Sequence, residues 1–270
     1  MTLIMGILNI TPDSFSDGGR YLDLDVAIGH AKALRRAGAH IVDVGGESTR
    51  PGAERVEPDV ERGRVVPVIE ALAARGIVVS VDTMNAGTAS AAVAAGARII
   101  NDVSGGLADP EMFAAVAASD ADVVIGHWRG HSTDMYAAAR YEDVVGEVIA
   151  ELQERVGAAI AAGIAPSRIV LDPGIGFGKR GDQNWAVLHH LDRVVWLGKR
   201  VLVGTSRKGF LREAIGDVLD SGDAGADAAD ASDMARRDLA TAVTSVLAAD
   251  VGAWGVRVHD VESTRDALAV

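Results

Sequence analysis

Eight times along this chain, a short apolar run ends in a residue able to do chemistry. Asn9 closes the first run, and Asp43 stands at the end of the second, ahead of Gly-Gly-Glu-Ser-Thr-Arg-Pro-Gly. Asp82-Thr83, Asn101-Asp102 and His127 follow the next three. The last three give Asp172-Pro173-Gly174, Thr205-Ser206-Arg207-Lys208, and His259-Asp260 just after Arg257. Asp82, Asn101 and Asp172 offer carboxylates and an amide, which read a flat heterocycle with several N–H donors or, alternatively, hold a divalent metal. Arg50, Lys208, Arg257 and His259 supply positive charge suited to a phosphate or carboxylate on the ligand. Taken singly, Asp82 and Asp172 could cap helices, and Arg257 and His259 could form surface ion pairs. Asp43 and Asp102 read as loop-fixing residues, and His127 reads as packing at least as readily as ligand contact. His189-His190 fall in a helical stretch away from the run ends, where a metal role has no support.

These residues need a frame that brings their run ends together. The strand candidates are Leu3–Leu8, His40–Val44, Ile77–Val81, Arg98–Asn101, Val123–Gly126, Ile169–Leu171, Val201–Val203 and Gly255–Val258. Helical stretches alternate with them: Leu24–Ala37, Val60–Arg75, Ala86–Ala95, Pro110–Ser119, Tyr141–Ala162, Gln183–Trp196, Ala235–Ala249 and a last one from about Ser263. The fifth is the clearest, with Val144, Val148, Leu152, Val156 and Ile160 stepping by four along one face. Eight βα units spread over residues 1–270 predict one α/β domain, a (β/α)8 TIM barrel, with an open doubly wound sheet as the competitor. In a barrel, all eight run ends share one rim, where active sites lie. The stretch Asp217–Asp233, with six Asp among Ala, Gly and Ser, reads as a solvated loop in the seventh unit.

Composition narrows the partners. The chain has 270 residues, 49% hydrophobic but only 4% aromatic, so its core must be filled by Ala, Val, Ile and Leu. A net charge of −12 argues against a nucleic-acid or anionic-membrane surface. There is no Cys, which removes disulfides and thiolate metal sites. No apolar run approaches the ~20 residues of a membrane span, and the start lacks a charged signal-peptide region, so a cytoplasmic protein is expected. Gly174-Ile-Gly-Phe-Gly-Lys179 is not a phosphate-binding P-loop, because Pro173 replaces the first Gly and Arg180 follows the Lys. No G-x-G-x-x-G opens a helix after the first strand either.

With these residues in view, the chain resembles the dihydropteroate synthases. "MGILNITPDSFSDGG" at 5–19 and "DVGGESTRPGA" at 43–53 are similar to that family's two signature stretches. "SVDTMNAGTA", "INDVSGG", "LDPGIGFGK", "VGTSRKGF" and "VRVHDV" follow in the family's order, so the likeness spans about Met5 to Val261. The resemblance implies a TIM-barrel transferase of folate synthesis that joins 4-aminobenzoate to 6-hydroxymethyl-7,8-dihydropterin diphosphate. It implies a pterin pocket of Asp82, Asn101, Asp172 and Lys208, with Arg257 over the ring. It implies a diphosphate site of Asn9, Thr49, Arg50, Arg257 and His259, with Mg2+ on Asn9. It implies an aminobenzoate slot of Phe15, Pro51, Phe177, Ser206 and Lys208. Asp17, Lys208 and Asp82 would act in the chemistry, and a homodimer is implied as well. A methyltetrahydrofolate-dependent methyltransferase and a non-catalytic paralogue are the competing readings. Neither accounts for the loops "TPDSFSDGG" and "ESTRPGA" together with Ser206 and Lys208.

Overall fold

A computed structural model describes residues 1–10, 20–47, 55–131, 136–137, 139–216 and 226–270. The elements run β1 (Leu3–Asn9), α1 (Arg20–Ala37), β2 (Ile41–Gly45), α2 (Pro58–Ala73), β3 (Val79–Asp82) and α3 (Ala86–Ala94). Then come β4 (Ile99–Asp102), α4 (Met112–Ala117), β5 (Asp122–Gly126), α5 (Val144–Ala161), β6 (Ile169–Asp172), α6 (Gly181–His189) and α7 (Leu191–Val195). The chain finishes with β7 (Arg200–Val203), α8 (Gly209–Ile215), α9 (Ala226–Asp250), β8 (Gly255–Val258) and α10 (Val261–Leu268). Every strand pairs in parallel with the next, and β8 returns to β1, closing the barrel in the order of the sequence. The expected (β/α)8 architecture is the one observed, and the open sheet is excluded.

Strand alternation divides the core in two. Ile4, Leu8, Val42, Val44, Ile100, Val123, Ile125, Leu171, Val201 and Val203 pack outward into the layer shared with the helices. The residues between them, Met5, Ile41, Ile99, Val124, Val170 and Leu202, form a separate apolar plug inside the barrel. Both sides of each strand are therefore buried, which is why these segments read as continuous Val/Ile runs instead of alternating ones.

The helices depart from the sequence expectation at several places. Within the Asp-rich stretch expected to be loop, α9 starts at Ala226, so 226–233 are helical. Alanine has the highest helix propensity, and acidic residues suit the positive end of a helix. The single helix expected over Gln183–Trp196 is two, broken at His190, and α8 was not anticipated. In α5, Val148 and Leu152 are fully buried, but Ile160 is 43% exposed. Steps of four overshoot the 3.6-residue turn by about 40° each, so the stripe rotates away from the barrel.

Candidate active site

The same alternation builds the site. Two residues beyond the plug, the inward position is Ile7 on β1, and on the other five strands of the plug it is held by Asp43, Asn101, Gly126, Asp172 and Gly204. Strand register sets Asn9 beside Gly45, Gly45 beside Asp82, and Asp82 beside Asn101, while Gly126 lies beside Asp172. A polar ring thus sits on an apolar floor at the C-terminal mouth of the barrel. Gly45 sits between two ring members: a Cβ there would be in ordinary contact with Asn9 Oδ1 at 3.6 Å and Asp82 Cβ at 3.5 Å.

Arg257 bridges one side of this ring. Its Nε donates to Asp43 Oδ2 at 2.6 Å and its Nη2 to Asp82 Oδ2 at 2.6 Å. Asn101 Nδ2 donates to the same Asp43 oxygen at 3.1 Å. Burial pushes Asp82 up to about 7; Arg257 pulls the other way, and Asp43 adds to the rise. Burial works against charge on Arg257 as well, but Asp43 and Asp82 outweigh it and raise its pKa above the usual range. These are barrel-interior ion pairs, not the surface pairs that the strand-end position allowed. Asp43 is accordingly not a loop-fixing residue: its bonds go to two members of the site. Its position two residues after Ile41, on the inward side, was the signal available in the sequence. Asp102 does fix its loop, accepting from Ser104 N–H, Ser104 Oγ–H and Gly106 N–H.

Across the mouth, Asp172 spends Oδ1 on Gly174 N–H at 2.7 Å. That bond closes the turn after β6 and caps no helix, since α6 begins only at Gly181, and it leaves the other oxygen to the pocket. Burial lifts its pKa, opposed by Lys208 and the Gly174 bond. Lys208, the residue preceding α8, donates from Nζ to Ile175 O and lies 4.3 Å from the Phe177 ring centroid. Burial draws it down to about 8 against the pull of Asp172. Ser206 Oγ and His259 Nδ1 are 2.9 Å apart, and His259 N–H donates to Ser206 Oγ at 3.1 Å. Residues expected for the carboxylate and the diphosphate therefore meet through two hydrogen bonds at Ser206 Oγ.

The loop after β6 has support that the sequence did not disclose. Lys179, rejected above as a nucleotide-binding lysine, is 1% exposed. Its Nζ reaches His127 Nδ1 at 2.9 Å, Gly174 O at 3.0 Å and Phe177 O at 3.2 Å, one acceptor for each ammonium proton. His127 Nε2 lies 2.9 Å from Glu151 Oε2, so the ring donates there and accepts from Lys179. Burial, then Lys179, holds His127 down at about 4, and the ring stays neutral. Asn184 completes the frame, accepting from Gly176 N–H at 2.6 Å and donating to Lys179 O at 3.2 Å. Backbone contacts lock the neighbouring loops. A Cβ on Gly174 would lie 2.2 Å from His127 O, and one on Gly126 2.5 Å from Val103 O. These close approaches require glycine.

Phe15, Asp17, Thr49, Arg50 and Pro51 lie outside the described residues. Beside them, Glu47 accepts from Val56 N–H at 3.0 Å and pairs with Arg55 at 2.9 Å. Among the described residues, no cluster of three or more His, Asp or Glu could hold a metal, so a full protein cage for Mg2+ does not fit. A rim amide such as Asn9 fits a Mg2+ bound through one protein oxygen, phosphate oxygens and water.

Barrel and mouth together define a class: a (β/α)8 fold whose C-terminal rim gathers buried carboxylates and cations around one opening. Residues 5–259 match the model of the pterin binding enzymes. The chain is 53% identical over 268 residues to the dihydropteroate synthase of Mycobacterium leprae, covering 99% of this chain and 91% of that one. It is similar to the Xanthomonas albilineans dihydropteroate synthase solved with 4-aminobenzoic acid, at 43% identity and a TM-score of 0.87, covering 99% and 91% of the two chains. A structure from the same organism in complex with 7,8-dihydropteroate is 40% identical with a TM-score of 0.84, at 99% and 91% coverage. The chain belongs to the pterin-binding enzymes, in the dihydropteroate synthase family.

Proposed function

We propose that this transferase condenses 6-hydroxymethyl-7,8-dihydropterin diphosphate with 4-aminobenzoate, giving 7,8-dihydropteroate and pyrophosphate. The observation that carries the reading is the ring of Asp82, Asn101, Asp172, Lys208 and Arg257 on one apolar floor. Acceptors on one side match the amino and ring N–H groups of a pterin, and Lys208 faces them as a donor for its carbonyl side. The relatives solved with 4-aminobenzoic acid and with 7,8-dihydropteroate support the same pair of substrates.

In this reading the bond from the pterin methylene to the diphosphate oxygen breaks first. Its electron pair leaves with pyrophosphate, and the electron-rich pterin spreads the positive charge left behind. Arg257 and His259 take up charge on the departing group. When bound at Asn9, Mg2+ supplies further neutralisation of that charge. The aryl amine then forms the C–N bond and releases one proton. Phe177 and Lys208 wall the aminobenzoate, and Ser206 meets its carboxylate. Phe15, Asp17, Thr49, Arg50 and Pro51 keep the roles that the resemblance implies, Asp17 near the forming bond.

Two copies pairing through the late helices, in the cytoplasm, belong to the same proposal. Leu239, Val243, Leu247 and Val251 step by four along and just beyond α9, and each is 39–65% exposed. Such a stripe is a surface that association would cover. The test of the main reading is pyrophosphate release from the dihydropterin diphosphate with and without 4-aminobenzoate, followed by isolation of pteroate. Release that depends on the amine, with pteroate formed, supports it; methyl transfer from methyltetrahydrofolate with no pteroate overturns it.

A further inference from the structure

We propose that Asp43 is the positioning residue of this site: one of its carboxylate oxygens fixes both the fork of Arg257 and the amide orientation of Asn101. The inference rests on the function proposed above. Asp43 is fully buried, and Oδ2 takes both bonds, from Arg257 Nε at 2.6 Å and Asn101 Nδ2 at 3.1 Å. Among the described residues, Oδ1 has no hydrogen-bond partner, so the hydrogen bonds of this carboxylate there all go to the site.

The chemistry of each bond decides what is left for a ligand. A carboxylate only accepts, so Asn101 must turn its NH2 toward Asp43. Its Oδ1 is thereby committed to acceptor duty elsewhere, which is what a ring N–H needs. Arg257, held through Nε by Asp43 and through Nη2 by Asp82, has its plane fixed at two points. The rest of the guanidinium edge then faces the mouth in one orientation, prepared for an anion before any ligand arrives. Asp43 touches neither substrate in this scheme; it acts through two residues that do. A neutral amide at this position cannot enforce either choice, because it donates as well as accepts.

The variant is Asp43→Asn, which keeps size and removes charge and acceptor-only character. Steady-state kinetics should show kcat/KM for the dihydropterin diphosphate falling on the order of 100-fold, the scale expected when a binding group loses its placement. The KM for 4-aminobenzoate should stay at the wild-type value, a split that general loosening of the fold does not produce. In an Arg257→Gln background the same change should cost far less, because the two residues act as one unit. The Nε–H resonance of Arg257 in the ligand-free protein gives a readout independent of activity. It should be protected from exchange in the wild type and lose that protection in Asp43→Asn. Unchanged kinetics for the pterin substrate, losses that multiply in the double variant, or a resonance unaffected by the substitution would each overturn the inference. If wild-type protein fails to bind the dihydropterin diphosphate, the functional reading falls instead, and the resonance still decides how Arg257 is held.

Discussion

Asp172→Asn separates recognition from stability more cleanly than any other change in this site. The substituted amide can keep its oxygen on Gly174 N–H, the 2.7 Å bond that closes the turn after β6. The atom facing the pocket becomes NH2, so a pterin N–H that met a carboxylate oxygen now meets another donor. A hydrogen bond to a charged group contributes about 1.5–3 kcal/mol, and an unmatched buried donor costs about 1–3 kcal/mol more. The combined loss of about 2.5–6 kcal/mol corresponds to a complex weaker by roughly 10² to 10⁴-fold. The folded protein should not suffer, because burial already disfavours the charge on Asp172, and an amide removes that burden. Lys208, drawn down to about 8 by burial, loses the carboxylate that opposes the fall and should titrate lower still. Calorimetric titration with 6-hydroxymethylpterin reads the affinity, and a thermal melt reads the stability. Affinity within about threefold of wild type would refute the pterin-reading role of Asp172. Lost affinity accompanied by a collapsed melting temperature would refute the separation of the two effects.

Lys179→Met tests the buried ammonium through pH. Unfolded, Lys179 titrates near 10.5, and folded near 7, so between those values the unfolded chain binds more protons and the wild type gains stability as pH rises. The variant should lack this gain, at most about 5 kcal/mol at 1.4 kcal/mol per pH unit; equal slopes in urea titrations of both proteins would show that Lys179 stays charged throughout. Gly174→Ala places a methyl group 2.2 Å from His127 O at a φ of +66°, and should lower stability by more than about 2 kcal/mol. A wild-type denaturation midpoint would contradict the close approach. Leu247→Glu, at a position 59% exposed on α9, tests the proposed pairing: the wild type should sediment as a dimer and the variant as a monomer, with monomer stability changed by no more than about 0.5 kcal/mol. A variant that sediments like the wild type would remove α9 from the interface.

The barrel was legible because its signal is repetitive: eight apolar runs, each with a helical stretch behind it, leave few other ways to bury both faces of every strand. The rim residues were legible for the same reason, since strand ends in a barrel converge whatever the loops do. What escaped was set by contacts between distant segments. Asp43 looked like the start of a glycine-rich turn, and only its pairing with Arg257, 214 positions away, reveals what it holds. Lys179 failed a nucleotide motif and carried no other local signature; its three acceptors come from two different loops. In α5, Ile160 was misplaced by a period of four where the helix has 3.6, and α9 was shortened because acidic residues were read as solvation instead of a helix start.

The glycine contacts at 126 and 174 have a consequence for redesign. There the loops after β4, β5 and β6 touch as bare main chain, with no side chain between them to trim or repack. In the proposed function that arc is the fixed datum against which a pterin ring would be registered, and a library of variants should leave it alone. Across the mouth, Ser206 and His259 meet through side-chain and amide hydrogen bonds. New acceptor shapes for the amine substrate are best sought on that side, where a change in one residue need not be transmitted to the ring that holds the pterin.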